Sequence, residues 1–216
     1  HYLLERTMLY RRADSLLPVA RLPFRTTLFK LGSEGAWTQV RTAEGDVGYV
    51  YGAVLSNAWV RVSKHEKKLY LYEGGTLVTS YAADFGYNPV ADKQQRGSTL
   101  SRDHWRTPEG TFFVVERNAR SQFYKAFLLN YPTAEDARRG LADGLISRRD
   151  HDAIVEAEAG FRRPPMNTAL GGMIEIHGKG TGAGVNWTQG CVAVRNDDID
   201  ALWARVHTGT PVVIEH

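Results

Sequence analysis

Two side-chain types that exchange protons and electrons near neutral pH meet in one stretch of this chain. Residues 171–194 run Gly-Gly-Met-Ile-Glu-Ile-His-Gly-Lys-Gly-Thr-Gly-Ala-Gly-Val-Asn-Trp-Thr-Gln-Gly-Cys-Val-Ala-Val. His177 and Cys191 stand fourteen positions apart across a glycine-rich loop. A cysteine attacks as its thiolate, and a neighbouring histidine lowers the thiol pKa by holding the anion as an ion pair, which suits acyl transfer. Gly190 removes a side chain where a carbonyl has to approach, and is expected to leave the N–H groups of Gly190 and Cys191 free for a developing oxyanion. Taken singly, Cys191 reads as a small buried hydrophobe, His177 as a hydrogen-bonded strand end, and Trp187 and Thr188 as loop packing. Their conjunction reads as a site.

The elements that position these groups follow from the same residues. Met173, Ile174 and Ile176 form a strand that brings His177 to its end, Cys191 opens a second strand, and Gly178, Gly180, Gly182 and Gly184 let the loop between them fold back. Two other readings of the glycines fare worse. A phosphate-binding loop fails because Gly172 and Gly178 enclose five residues where four are needed, and Gly180 follows Lys179 where Ser or Thr belongs. A dinucleotide fingerprint matches formally at Gly178, Gly180 and Ala183, with Asp197 or Asp198 beyond, but a strand follows where a helix is required.

The whole chain has 216 residues, 43% hydrophobic and 24% charged, and a net charge of +3. That is globular composition; disorder and a polycationic nucleic-acid binder both fit poorly. No run reaches the roughly 20 apolar residues of a membrane span. The single cysteine excludes an internal disulfide framework and a multi-cysteine metal cluster. His65, His104, His151 and His207 lack partners at metal-ligand spacing and read as surface histidines, so no metal is implied. The arginine pairs 138–139 and 148–149 read as solvated helix faces.

Residues 1–56 read as short strands broken by turns: 28–31, 37–41 and 47–51, with Tyr49 and Tyr51 expected in a small barrel's core. Ser56-Asn57 is the expected linker. Residues 57–216 read as α+β. They open with a strand at 59–62 and a hairpin of 69–72 and 77–81 about Gly74-Gly75, followed by strands at 111–115 and 127–130 with an exposed polar stretch between. A helical pair is expected over 133–159, with Ser147 and Asp150 marking one start, then a helix from Asn196 to Val206 capped by Asn196-Asp197-Asp198, and a closing strand at 210–214.

Trp37-Thr38-Gln39-Val40-Arg41 followed by Gly48-Tyr49-Val50 and Leu55 resembles a bacterial SH3 domain. Ile176-His177-Gly178, the glycine loop, and Trp187-Thr188-Gln189-Gly190-Cys191-Val192-Ala193-Val194 resemble the active-site motif of the L,D-transpeptidase (YkuD) family. Leu69-Tyr70-Leu71-Tyr72, Arg106-Thr107-Pro108-Glu109-Gly110-Thr111, Leu129-Asn130-Tyr131-Pro132 and the 196–203 helix agree, so the likeness covers about 59–216. The implied fold is mainly β with α+β elements. A small SH3-like barrel (1–56) precedes a YkuD-type catalytic domain (57–216) that carries a helical insertion at about 133–159.

Position by position, the resemblance makes Cys191 the nucleophile and His177 its base, with the Gly178 carbonyl orienting the base. Thr188 takes the family's Ser/Thr place and Gly190 its glycine before the cysteine. Many members carry Arg two residues after the cysteine; here that residue is Ala193, and Arg195, Trp187 and Tyr131 are the positions expected to contact substrate. Ser101 to Trp105 replaces a smaller approach to Thr-Pro-Glu-Gly, and the insertion is longer than in compact members.

The implied substrate is the peptidoglycan stem peptide, cleaved after the L-centre of its third-position diamino acid. The acyl group passes to an amine, forming a cross-link, or to water, as in a carboxypeptidase or amidase. A third reading is a non-catalytic wall-binding protein. The resemblance implies covalent acylation by carbapenems, no cofactor, no nucleic-acid partner, and export to the periplasm or cell envelope. An export signal is expected to have preceded His1.

Overall fold

Strand-forming runs separated by Gly-, Asp- and Pro-containing turns build the first part of the chain as β1 (Tyr2–Leu3), β2 (Thr7–Tyr10), β3 (Pro18–Leu22), β4 (Phe29–Glu34), β5 (Trp37–Arg41), β6 (Val47–Tyr51) and β7 (Leu55–Ser56). The computed structural model describes residues 1–216. It divides into two compact units, His1–Ala58 and Trp59–His216.

In the first unit β1 pairs with β7, and the other strands form one sheet in the order β3-β2-β6-β5-β4. Alternation along β5 and β6 buries Val40 and Val50, which join Leu3, Leu9, Leu22, Leu28 and Val54 in the core. The expectation that Tyr49 and Tyr51 fill this core is corrected. They flank Val50 and so project to the opposite face, where Tyr51 is 48% exposed and meets Trp37 edge-on.

The second unit comprises β8 (Ala58–Ser63), β9 (Lys68–Glu73), β10 (Thr76–Ala82), β11 (Phe85–Gly86), β12 (Gly110–Ser121), β13 (Tyr124–Leu129), α1 (Ala134–Ala142), α2 (Arg148–Ala159), β14 (Glu175–His177), β15 (Asn186–Thr188), β16 (Val192–Ala193), α3 (Asn196–Trp203) and β17 (Pro211–Glu215). Eight strands make one sheet in the order β10-β9-β8-β17-β12-β13-β14-β16. Val60, Val62, Leu69, Leu71, Phe112, Phe127, Ile176, Val192 and Val212 are buried along it. Burying one such side chain contributes about 2 kcal/mol, so the sheet's core is what holds β14 and β16 in place.

The polar stretch between the two central strand candidates is not a loop. β12 and β13 stay paired through it, Glu116 with Leu128 and Ser121 with Tyr124, with register shifts along the way. Backbone pairing does not require apolar side chains at a hairpin's free end, and here the tip residues Ser121, Gln122 and Phe123 form a groove wall.

The helical pair carries two capping boxes, Ser147 with Asp150 and Thr133 with Asp136, and packs through Ala137, Ile146, Ile154 and Leu170. Before α3 the cap position belongs to Arg195, which makes no side-chain cap. Asn196 instead accepts a hydrogen bond from the Lys179 N–H at 2.9 Å, tying α3 to the glycine-rich loop. No helix is long and apolar enough to cross a membrane.

Candidate active site

β14 and β16 run parallel, Ile176 beside Val192 and His177 beside Ala193. Continued one step back, that register sets Cys191 beside Glu175. Alternation then puts Glu175, His177 and Cys191 on one face of the sheet and Ile176 and Val192 on the other. Cys191 and His177 both line a groove of about 740 Å³. The loop thus returns across the end of β14, bringing together residues that the sequence separates.

His177 is 1% exposed, and its Nδ1 lies 2.7 Å from the Gly178 carbonyl oxygen. A carbonyl only accepts, so Nδ1 carries the proton and Nε2 of the neutral ring holds the lone pair. Phe123 stacks on the ring with centroids 4.3 Å apart, and Trp187 meets it edge-on. Burial pushes the imidazole below its ordinary pKa, against the Gly178 hydrogen bond and Asp84, which raise it. Gly178 fits where no other residue does: a Cβ there would lie 2.7 Å from Asn196 Oδ1 and 2.8 Å from the Phe123 oxygen.

Cys191 is half-buried, and its thiol donates to the Met173 carbonyl at 3.5 Å. Burial pushes the thiol up to about 12; a Glu175 backbone hydrogen bond lowers it, the Glu175 carboxylate raises it and Lys93 lowers it. Burial thus favours the neutral form of both groups in the resting protein and works against the expected thiolate–imidazolium pair, because the same packed wall withholds water from either charge.

Thr188 Oγ1 donates to the Cys191 carbonyl at 2.7 Å and accepts from the Gly190 N–H at 3.2 Å. The Gly190 amide is thus already engaged, which corrects the expectation that it is free for an oxyanion. Gly190 has φ +133, and a Cβ there would come within 2.6 Å of the Arg106 oxygen. Its part is conformational, turning the chain under the 106–108 segment so that the cysteine faces the groove.

The substrate-contact expectations separate. Trp187 lines the groove and is 41% exposed. Tyr131 is a correction: it is fully buried and its hydroxyl donates to the Leu170 carbonyl at 3.0 Å, because the segment that follows β13 carries it beneath the surface toward Phe112. Arg195 is also placed elsewhere, preceding α3 and bonded to Asp198, outside the groove lining.

Asp84 escaped the sequence reading. It is fully buried and accepts from Thr181 N, Thr181 Oγ1, Val185 N and Trp187 Nε1, the last at 2.8 Å. These bonds outweigh its burial and hold the carboxyl below its ordinary pKa. Its signal was present as one acid in the otherwise uncharged 81–91 stretch, but its partners lie about a hundred residues away. Asp84→Ala leaves those donors buried without an acceptor. Its expected cost is about 3 kcal/mol, read as a drop in melting temperature, with the loop from 178 to 187 losing amide protection. Since the folded pKa lies below the unfolded one, Asp84 stabilises the fold above about pH 4 and that contribution is lost on further acidification. An alanine variant as stable as wild type would remove this role.

The L,D-transpeptidase (YkuD) catalytic-domain family matches residues 57–214. The chain belongs to that family. No curated protein matches it. Among solved structures it is similar to Bdellovibrio bacteriovorus Bd1075, with 22% identity over 88% of this chain and 52% of that one and a TM-score of 0.48. An L,D-transpeptidase from Xylanimonas cellulosilytica gives 17%, 74%, 61% and 0.45 for the same measures. One from Mycobacterium tuberculosis H37Rv gives 11%, 93%, 70% and 0.44. The chain spans less than two thirds of either of the first two.

Proposed function

We propose that this protein performs cysteine-dependent acyl transfer on peptidoglycan stem peptides at the cell envelope, cleaving after the L-centre of the third-position diamino acid. The observation that supports it is a neutral imidazole, with Nδ1 bonded to Gly178 and Nε2 left as the base, on the same groove face as the thiol of Cys191. The thiol proton passes to His177 Nε2 as Sγ bonds to the scissile carbonyl carbon, and the carbonyl π pair becomes an oxyanion facing the Cys191 N–H. When the oxyanion collapses, the C–N bond breaks and the leaving amine takes the proton from imidazolium. A thioester to Cys191 remains. An incoming amine gives up a proton to His177, attacks the thioester and expels the thiol, which regains that proton.

Trp187, exposed beside this pair, supplies an aromatic wall for the peptide. We infer also that the His1–Ala58 unit is SH3-like and holds wall material, on the strength of its five-stranded sheet and the edge-to-face set Tyr10, Trp37 and Tyr51.

Incubation of the purified protein with a tetrapeptide muropeptide, followed by mass analysis, tests the enzyme reading. A cross-linked dimer is the expected product. A trimmed tripeptide alone makes the protein a carboxypeptidase on the same groove. Unchanged substrate across conditions sinks the catalytic reading and leaves wall binding.

A further inference from the structure

Glu175 lines the groove half-buried, and its carboxylate makes neither a hydrogen bond nor an ion pair. Ile176 turns into the sheet's core, so alternation sends the Glu175 side chain to the face that carries His177 and Cys191. The sulfur is fixed beside this segment. Cys191 Sγ lies 3.5 Å from the carbonyl oxygen of Met173, two residues before Glu175, and the paired strands themselves run about 4.8 Å apart.

The charged groups around Glu175 make their bonds elsewhere. Glu116 shares its row of the sheet through Leu128 and pairs with Arg163 at 3.5 Å. Lys93, in the groove wall, donates to the His104 carbonyl at 3.1 Å and makes no ion pair. Arg96 gives its guanidinium to the carbonyls of Met166 and Thr168. The facing tip residues Ser121, Gln122 and Phe123 are uncharged. A carboxylate partly withdrawn from water without a partner is costly, and a cationic ligand offsets that cost.

Proton balance specifies the cation. An aliphatic amine is an ammonium at neutral pH, and forming an amide from a thioester removes two protons from its nitrogen. The second proton goes to His177 Nε2 and returns to the sulfur. The first has to leave before the nitrogen has a lone pair, while His177 has to stay neutral to receive the second. A separate base beside the sulfur meets both demands. Water arrives neutral and needs no such base. Burial raises the Glu175 pKa, with Glu116 raising it further and Arg163 lowering it, which narrows the gap to an ammonium.

We propose that Glu175 binds the ammonium of the incoming amine and takes its first proton, so that this side chain sets how the acyl-enzyme divides between amine and water. This rests on the acyl-transfer reading above. Once the carboxylate has accepted that proton, nitrogen bonds to the thioester carbon as the π pair moves to oxygen, and His177 takes the second proton. Collapse breaks the C–S bond and returns that proton to sulfur. Glu175 then releases its own proton to water.

The test gives wild type, Glu175→Gln and Glu175→Asp a tetrapeptide donor with one of two acceptors at pH 7. One is a tripeptide whose third residue carries a side-chain amine; the other is hydroxylamine, which is already neutral there. Mass analysis yields the ratio of aminolysis to hydrolysis, a quantity independent of how fast the acyl-enzyme forms. Glu175→Gln is expected to lower the ratio about 100-fold for the ammonium acceptor and at most about 3-fold for hydroxylamine. Glu175→Asp, its carboxylate set back by one methylene, loses about 10-fold on the ammonium acceptor alone.

Equal ratios in wild type and Glu175→Gln overturn the proposal. A loss that falls alike on both acceptors does the same, since it gives Glu175 a structural part. A wild type that only hydrolyses the donor when the amine is present also overturns it, while leaving acyl transfer to water in place. If wild type leaves the donor unchanged, the acyl-transfer reading fails, and calorimetry with the acceptor tripeptide and its side-chain-acetylated form decides on Glu175. A preference for the free amine that Glu175→Gln abolishes supports the ammonium site; equal or undetectable binding of both forms overturns it.

Discussion

Cys191→Ala is expected to lower product formation from a stem tetrapeptide by about 10⁴-fold or more, because the proposed acyl intermediate is a thioester and the substitution removes its sulfur. No second cysteine exists to substitute, and Thr188 Oγ1, the nearest hydroxyl in the motif, is committed to the Cys191 carbonyl. The fold should survive. The sulfur gives up a single long bond to the Met173 carbonyl, and its side of the residue faces the groove, so stability should change by about 1 kcal/mol or less. Intact-mass analysis supplies a readout independent of turnover. Wild type exposed to a carbapenem gains one covalent adduct through thiol attack on the β-lactam carbonyl, and the alanine variant gains none. Product or adduct formed by the variant would take Cys191 out of the nucleophile role.

His177→Gln should reduce kcat/KM by about 10²–10⁴-fold, the usual worth of a positioned general base, while the variant remains folded. The pH profile gives the sharper check. The base works as neutral imidazole, so acidification switches it off, and because burial lowers its pKa the acid limb of kcat/KM should lie below 6.5. The resting thiol, pushed up to about 12, stays protonated throughout that range. Iodoacetamide should consequently label the free enzyme slowly at pH 7, and proton transfer should accompany attack rather than precede it. Rapid alkylation at neutral pH, with an acid limb at or above 6.5, would instead establish a preformed ion pair.

That difference between a preformed pair and two neutral groups marks where the sequence stopped being readable. The types His177 and Cys191 and the glycines between them say that an imidazole and a thiol come to one place. They do not say how much water reaches the meeting place, and solvation sets both pKa values. Gly190 is similar. Its identity was legible as a need for space beside the cysteine, but the group that occupies the space is the Arg106 carbonyl and the amide itself is held by Thr188. Tyr131 belonged to a recognisable run, yet it lies past the end of β13, where packing near Phe112 and a hydrogen bond to the Leu170 carbonyl placed the ring inside.

Local rules served well wherever a signal and its partner are a few residues apart. The Gly74-Gly75 hairpin, the Ser147–Asp150 capping box and the strands 37–41 and 47–51 formed as periodicity and turn chemistry require. Local polarity misled at 116–126, because pairing between β12 and β13 is a backbone property and continued past the apolar residues.

By itself the sequence determined the histidine and cysteine of the proposed site, the loop that returns one to the other and the β-rich framework, since each depends on residue type or short-range spacing. Only the tertiary structure decided that Asp84 anchors the loop, that Arg195 and Tyr131 stay away from the groove, and that Lys93 lines it without an ion pair. Those outcomes depend on burial and on contacts between distant parts of the chain, which cost or stabilise charge only once packing has excluded water.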